Sequence, residues 1–441
     1  MARRISTRET PQIVSGRWPA GVDNVSPEDE IQRREVPAVR IAENVDFDSA
    51  GKVSRREGRT LLAAGRTHSL WSSEKWPFAL AVLDNVLHTV TQEPDAIALQ
   101  SIATVSVARA WSFDVMNDAV YGSNGAERVR VGMDGALRPW GVEQPAGQPT
   151  LSPAAAGGLA AGRYQIAVTF IDEFGEESGA EAAAVVAVPA GGGITLTDIP
   201  QPASPFVRSV RVYTSPANGD ALYAALTVPV GQISATVDVS RIGVGRLLDT
   251  MHHERFPPCT IVRATRGRIY GASGRDVLYS PALRYGLTRR TENYYRFATD
   301  VTLLEPVDGG LFVGTEQAAY FLAGADPKDV QQRTIDSFGV VAGTGRVIPG
   351  GKFGAEGPTT ASAVWWNRNG NLVRGNGDGS ITHLTAGRLA LPTYASGSTF
   401  MRESNGIRQL VSVLRGPQGA AGFATRDYAV ATVRRNGVVI N

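Results

Sequence analysis

The sequence predicts an all-β protein: an irregular, β-propeller-like platform interrupted by a two-sheet β-sandwich. Three observations predict it. Short runs of alternating apolar and polar residues, the period of a half-buried strand, recur along most of the 441 residues. Between residues 162 and 250 these runs become dense, with turn signals roughly every 8–12 residues, which is sandwich spacing. Sustained helical periodicity is hard to find. Its best candidate, residues 151–161, is a Pro/Ala/Gly linker without an amphipathic face.

Residues 1–35 are polar, rich in Arg and Glu and without sustained periodicity, so they read as an extended N-terminal arm. A first part of the platform spans 36–145. It opens on a strand-turn-strand around Ser49-Ala50-Gly51. It continues with strands at 78–83 and 86–91, joined by Asp84-Asn85, and then at 110–117, 119–123 and 128–133. The sandwich occupies 146–257. In its first strand Tyr164, Ile166, Val168 and Phe170 face one way, and the polar turn 172–178 follows. Further strands are expected at 184–188, 193–196, 207–214, 221–228 and 235–239, and Phe256-Pro257-Pro258 closes the insert. A second part of the platform, 258–420, resumes the earlier style from 261–266 and 268–272 onward. Residues 421–441 form a C-terminal strand and tail.

Several platform segments share a coarse form of strand, Gly or Asn turn and strand. Arg268-Ile269-Tyr270-Gly271 compares with Ala119-Val120-Tyr121-Gly122, Leu311-Phe312-Val313-Gly314 and Val364-Trp365-Trp366-Asn367. Their irregular spacing is near the ~40–50 residues of a propeller blade.

Composition sets the outer limits. With 44 basic and 42 acidic residues the net charge is +2, so no global basic field attracts nucleic acid. Arg dominates the basic residues, which fits either Arg-rich interfaces or a GC-rich coding sequence. The single cysteine, Cys259, excludes an internal disulfide framework and reads as a small buried apolar residue. The polar start implies no signal peptide, and no apolar stretch approaches the ~18 residues of a membrane span.

Candidate chemistry is thin. Asp46, Asp48, Gly51 and Glu57 match some EF-hand positions, but Ala50 offers no oxygen and no helices flank the loop. The Asn367–Asn371 and Gly375–Ser380 loops are oxygen-rich, yet Asn-Gly and Asp-Gly are also favoured hairpin turns. Gly375, Gly377 and Gly379 lack the βαβ setting of a dinucleotide fingerprint. His252-His253-Glu254 lacks zinc-site spacing, and His68, His88 and His383 stand alone. Gly271-Ala272-Ser273-Gly274 is not a nucleophile elbow. Asp114, Asp118, Asp276 and Glu305 could supply a glycosidase carboxylate pair, and nothing in the sequence selects two of them. No catalytic residue, cofactor or metal ligand is assigned, and no enzymatic activity is expected.

Three features together resemble a family, the bacteriophage tail accessory proteins of the stabilisation or nozzle type. The first is the opening Gly21-Val22-Asp23-Asn24, then Ala42-Glu43-Asn44-Val45-Asp46-Phe47, Gly51-Lys52-Val53 and Arg55-Arg56-Glu57-Gly58. The second is the insert, with Tyr164 to Phe170, Gly175-Glu176-Glu177-Ser178 and Val210-Arg211-Val212-Tyr213-Thr214, similar to fibronectin-like or immunoglobulin-like inserts. The third is the propeller-like remainder. The resemblance implies a virion structural protein, assembled in the host bacterial cytoplasm. Its copies would form a ring in the tail around the channel for genomic DNA, which passes without sequence-specific binding. Other tail or connector proteins are the implied partners. The alternative is a propeller that binds or cleaves host-surface glycans.

The expected interface residues follow from exposure and aromaticity. Arg3, Arg4 and Arg8 lie on the arm, with Trp18 midway along it. Tyr294, Tyr295 and the pair Trp365-Trp366 are the clearest aromatic clusters. Adjacent strand residues face opposite sides, so one Trp of the pair is expected in the core and the other in a subunit contact.

Overall fold

Neighbouring strands of one sequence segment pair with each other before they pair with anything distant, and this gives the architecture its unit. The computed structural model describes residues 17–42, 45–48, 50–55, 61–93, 96–352, 359–404, 407–416, 433–435 and 438–440. Among the described residues the elements are strands apart from one helix, Glu28–Arg33, and two 3-10 turns. Outside the sandwich, six four-stranded sheets recur among the described residues; four have strands consecutive in chain order, and a fifth, Ile261–Thr265 to Tyr294–Arg296, skips only the short strand Leu287–Thr288. Val438–Ile440, by contrast, lies parallel to Ile407–Arg415 in the last sheet. A repeated four-stranded unit is the blade of a propeller-like platform.

The chain divides into two units, Leu61–Leu304 and Met1–Thr60 with Glu305–Asn441. In the first, the sheet of Thr67–Trp71, Ala79–Leu83, Val86–Gln92 and Ile97–Thr104 packs on that of Ser112–Met116, Ala119–Ser123, Arg128–Gly132 and Leu137–Arg138. Leu80, Val82 and Leu87 meet Phe113, Val120 and Val131 there. The opposite face of the second sheet carries Ala119 and Tyr121 onto Val262, Ile269 and Leu278 of a third sheet, Ile261–Thr265 to Tyr294–Arg296. The hairpin at Asp84-Asn85 turns as its sequence predicts, with φ of 47° and 63° at the two residues.

The other unit repeats the arrangement. Phe312, on Gly310–Thr315, packs against Trp365, on Ser362–Trp366, with ring centroids 5.2 Å apart. The next interface joins Val364, Trp366 and Leu372 to Leu410 and Leu414. Second strands are thus covered on both faces. This corrects the expectation for Trp365 and Trp366: they do face opposite sides, but both are buried, at 0% and 1% exposure. Neither side chain is exposed on the surface of this chain. The four similar segments beginning Ala119, Arg268, Leu311 and Val364 all fall on the second strand of their own sheets.

The arm expectation also changes. Residues 1–16, with Arg3, Arg4 and Arg8, lie outside the described residues, but 17–35 are folded. Asp23 is buried and accepts from Ser26 N and Oγ, both at 2.9 Å, and from Arg34 at 2.7 Å. Those donors hold its carboxyl below the usual range against the cost of burial. Asn24 exchanges two hydrogen bonds with the Ala390 backbone. A polar segment without periodicity is fixed here by side-chain to backbone bonds, which no periodicity analysis registers.

The sandwich sets the sheet of Thr150–Ala154, Gly193–Thr197 and Ala235–Val237 against Ala184–Val188, Gly162–Asp172, Val207–Thr214 and Tyr223–Pro229. Tyr164, Ile166, Val168 and Phe170 point into its core with Val210, Val212 and Leu196. The stretch expected as a linker begins with a strand: all five residues of Thr150–Ala154 pair with Gly193–Thr197. Pro153 sits on that edge strand, where a missing N–H costs no ladder bond.

Candidate functional site

The insert is joined to its neighbours in the Leu61–Leu304 unit by a dense set of contacts. Arg130 leaves the buried strand Arg128–Gly132 and meets Glu176, in the turn after the first long sandwich strand, at 2.5 Å. Its guanidinium also lies 5.7 Å from the centroid of the Tyr121 ring. The turn is shaped by Asp172, whose Oδ1 accepts from the Phe174 and Glu176 amides. Burial pushes the Glu176 carboxyl up, and Arg130 pulls it back.

Beneath this pair lies an aromatic stack. Trp140 stacks on Phe256 at 5.5 Å and meets Tyr121 edge-on at 5.3 Å. Its indole N–H donates to Tyr285 O at 2.9 Å. Trp140 precedes the sandwich strands in sequence and Phe256 follows them, so the two close one seam. Backbones cross tightly beside it: a Cβ on Gly141 would stand 2.3 Å from Gly286 O, so only glycine fits. Glu143 Oε1 accepts from the Ala203 and Ser204 amides, and Arg284 grips Asp249 with two contacts, at 2.7 and 2.6 Å.

Inside the insert, buried Glu177 collects Tyr213 Oη at 2.7 Å, Arg211 at 2.9 Å, Thr169 and Arg246. A carboxylate with this many donors is fixed in place and has no spare lone pair for chemistry.

Several candidate chemical residues hold local hydrogen bonds or ion pairs. Asp48 Oδ1 accepts from the Ala50 and Lys52 amides, and Glu57 lies outside the described residues. Asp378 accepts from Ser380 N and Oγ within its own turn. Asp114 Oδ2 accepts from Ala264 N at 2.8 Å, joining two sheets. Asp276 holds Arg296 through two bonds of 2.7 and 2.8 Å. His383 and Asn367 both contact Asp336 Oδ2. Cys259 is fully buried, and burial pushes its thiol up to about 12.

Of the expected interface residues, Tyr294 is exposed on the edge strand Tyr294–Arg296, with Arg296 over its ring at 5.5 Å. Tyr295 is half-buried against Tyr279, and Trp18 is half-buried, its amide bonded to Gly51 O. Sequence reasoning missed Arg130 and Glu176. The available signal was a charged residue inside an apolar strand, Arg128-Val129-Arg130-Val131.

The sequence matches no family model and no curated protein. Among solved structures it is similar to two of BBS1N in complex with ARL6DN, soaked with lead and with mercury. They are 10% and 8% identical, cover 81% of this chain and 94% and 95% of theirs, and have TM-scores of 0.32 and 0.33. PorZ, described as a surface component of the type-IX secretion system of Porphyromonas gingivalis, is 11% identical. That match covers 85% of this chain and 75% of PorZ, at a TM-score of 0.18. Scores this low carry no argument about activity. Fold and seam define an all-β protein of repeated four-stranded sheets holding a fixed sandwich. No helix among the described residues is long and apolar enough to cross a membrane.

Proposed function

We propose that this chain is a bacteriophage virion structural protein that forms a ring in the tail, in the nozzle, stabilisation or head-tail connecting region, around the DNA channel. The observation that supports it most is the clamp. Arg130–Glu176 and the Trp140–Phe256 stack hold the insert at a set angle to its sheets, as a spacer between subunits requires. The order of motifs that resembles tail accessory proteins points the same way. Exposed apolar side chains on the insert, Ile233 and Val244 among them, offer surface for head-to-tail contacts, which close into rings. Copies of itself and other tail proteins are the partners, and DNA slides past without specific binding.

A small tag inserted at the open turn around Gly191, where an added side chain meets nothing within 4 Å, tests this in virions. Electron micrographs of tails are expected to show a ring of tag density about the tail axis. Absence of the tag from virions, or a soluble monomer that binds or cleaves host glycans, overturns the proposal.

A further inference from the structure

A cavity of about 440 Å³ opens in the Leu61–Leu304 unit, and two guanidinium groups line it. Arg128 comes from the first residue of Arg128–Gly132, and Arg255 from the chain leaving the sandwich. Neither forms an ion pair among the described residues. Arg255 spends its Nε on Trp140 O at 3.0 Å, and buried Arg128 Nε has no hydrogen-bond partner. The acid in the wall does not serve them. Glu127 accepts from Ser106 N at 3.0 Å and Ser106 Oγ at 2.8 Å through one oxygen, and from Asn124 at 3.2 Å through the other. Arg290, whose charge also acts on Arg128, is held by Glu254 at 2.9 Å.

The rest of the wall is mostly apolar. Leu87, Val105, Val129 and Pro258 contribute, and Trp111 brings an indole whose Nε1 is likewise buried without a partner. Two half-buried cations side by side are unfavourable, because desolvation and mutual repulsion add, and Glu143, the one carboxylate among the described residues whose charge acts on Arg255, forms no ion pair with it and has its Oε1 on the Ala203 and Ser204 amides. Burial, and after it Arg255, pushes the Arg128 guanidinium down to about 10. A bound anion offsets both penalties, and a guanidinium fork fits the oxygens of a carboxylate or a phosphate. Pockets of this size that join apolar wall to converging polar groups suit small molecules.

We infer that this cavity binds a small oxyanion, a carboxylate or phosphate carried on an apolar body, with Arg128 and Arg255 on the charge and Trp111 against the body. This goes beyond the structural role, and it stands or falls separately from ring formation.

Calorimetric titration of the full chain with indole-3-acetate, phenyl phosphate and inorganic phosphate tests it. The expected result is saturable binding of at least one of the two apolar anions, at least tenfold tighter than inorganic phosphate. Whether indole-3-acetate or phenyl phosphate binds more tightly assigns the head group. Arg128→Met is expected to weaken binding at least tenfold and to raise the melting midpoint of the ligand-free protein. Arg255→Met provides a second variant should the first fail to fold. Arg296→Gln, a control at an exposed ion pair, is expected to bind as the native chain does. No saturable binding by either apolar probe, binding that survives both Met variants, or equal affinity for inorganic phosphate overturns the inference.

Discussion

Replacing Arg130 by Met tests the clamp most directly. The side chain is 9% exposed and its partner Glu176 is 30% exposed. Met keeps the apolar stem against Tyr121 but removes the charge, leaving a carboxylate in a largely apolar seam. Removing one partner of a fully buried pair costs about 3–5 kcal/mol. With Glu176 partly in water, about 2–3 kcal/mol is expected. For a unit the size of Leu61–Leu304 that lowers the melting midpoint by about 4–10 °C. The pH dependence gives a second handle. Burial already raises Glu176, so its penalty is absent below its unfolded value and grows as pH rises through the folded one. Without Arg130 the folded value rises further. The variant's deficit is therefore larger at pH 8 than at pH 5, and Arg130→Met with Glu176→Gln recovers part of it. Calorimetric melts of the native protein and the two variants at both pH values supply the measurement. A single variant matching the native protein at pH 8, or a deficit independent of pH, refutes the reasoning.

Trp366→Ala is expected to destabilise the isolated chain by about 3–5 kcal/mol through the cavity it leaves, seen as a lower midpoint without any partner present. A fragment of residues 142–253 is expected to melt cooperatively, whereas one starting at 162 loses the edge strand and does not; circular dichroism distinguishes them. Cys259 is expected to resist an aromatic disulfide reagent at pH 8 in the native protein and to react fully in guanidinium, because burial pushes its thiol up to about 12. The isolated protein is expected to show negligible duplex-DNA affinity at physiological salt. Tight binding with a steep salt slope, lost on changing Arg3, Arg4 and Arg8 to Ala, would recast the arm as a DNA clamp.

Residue order alone determined the all-β class, the place of the sandwich and the inward face of Tyr164, Ile166, Val168 and Phe170. Period-two alternation and turn residues are local signals, and local hydrogen bonding between neighbouring strands acts on them directly. The shared form of the segments around Tyr121, Tyr270, Phe312 and Trp365 was legible for the same reason, as each is the second strand of its sheet. Tertiary structure decided the rest. Whether a strand is covered on one face or two depends on the sheets beside it, so the burial of both Trp365 and Trp366 was not written in their alternation. Thr150–Ala154 became a strand because Gly193–Thr197 offered it an edge, despite a Pro and no apolar pattern. Arg130 with Glu176, and Arg128 with Arg255, are far apart in the chain. Their charges acquire meaning only when folding brings them together and takes away the water.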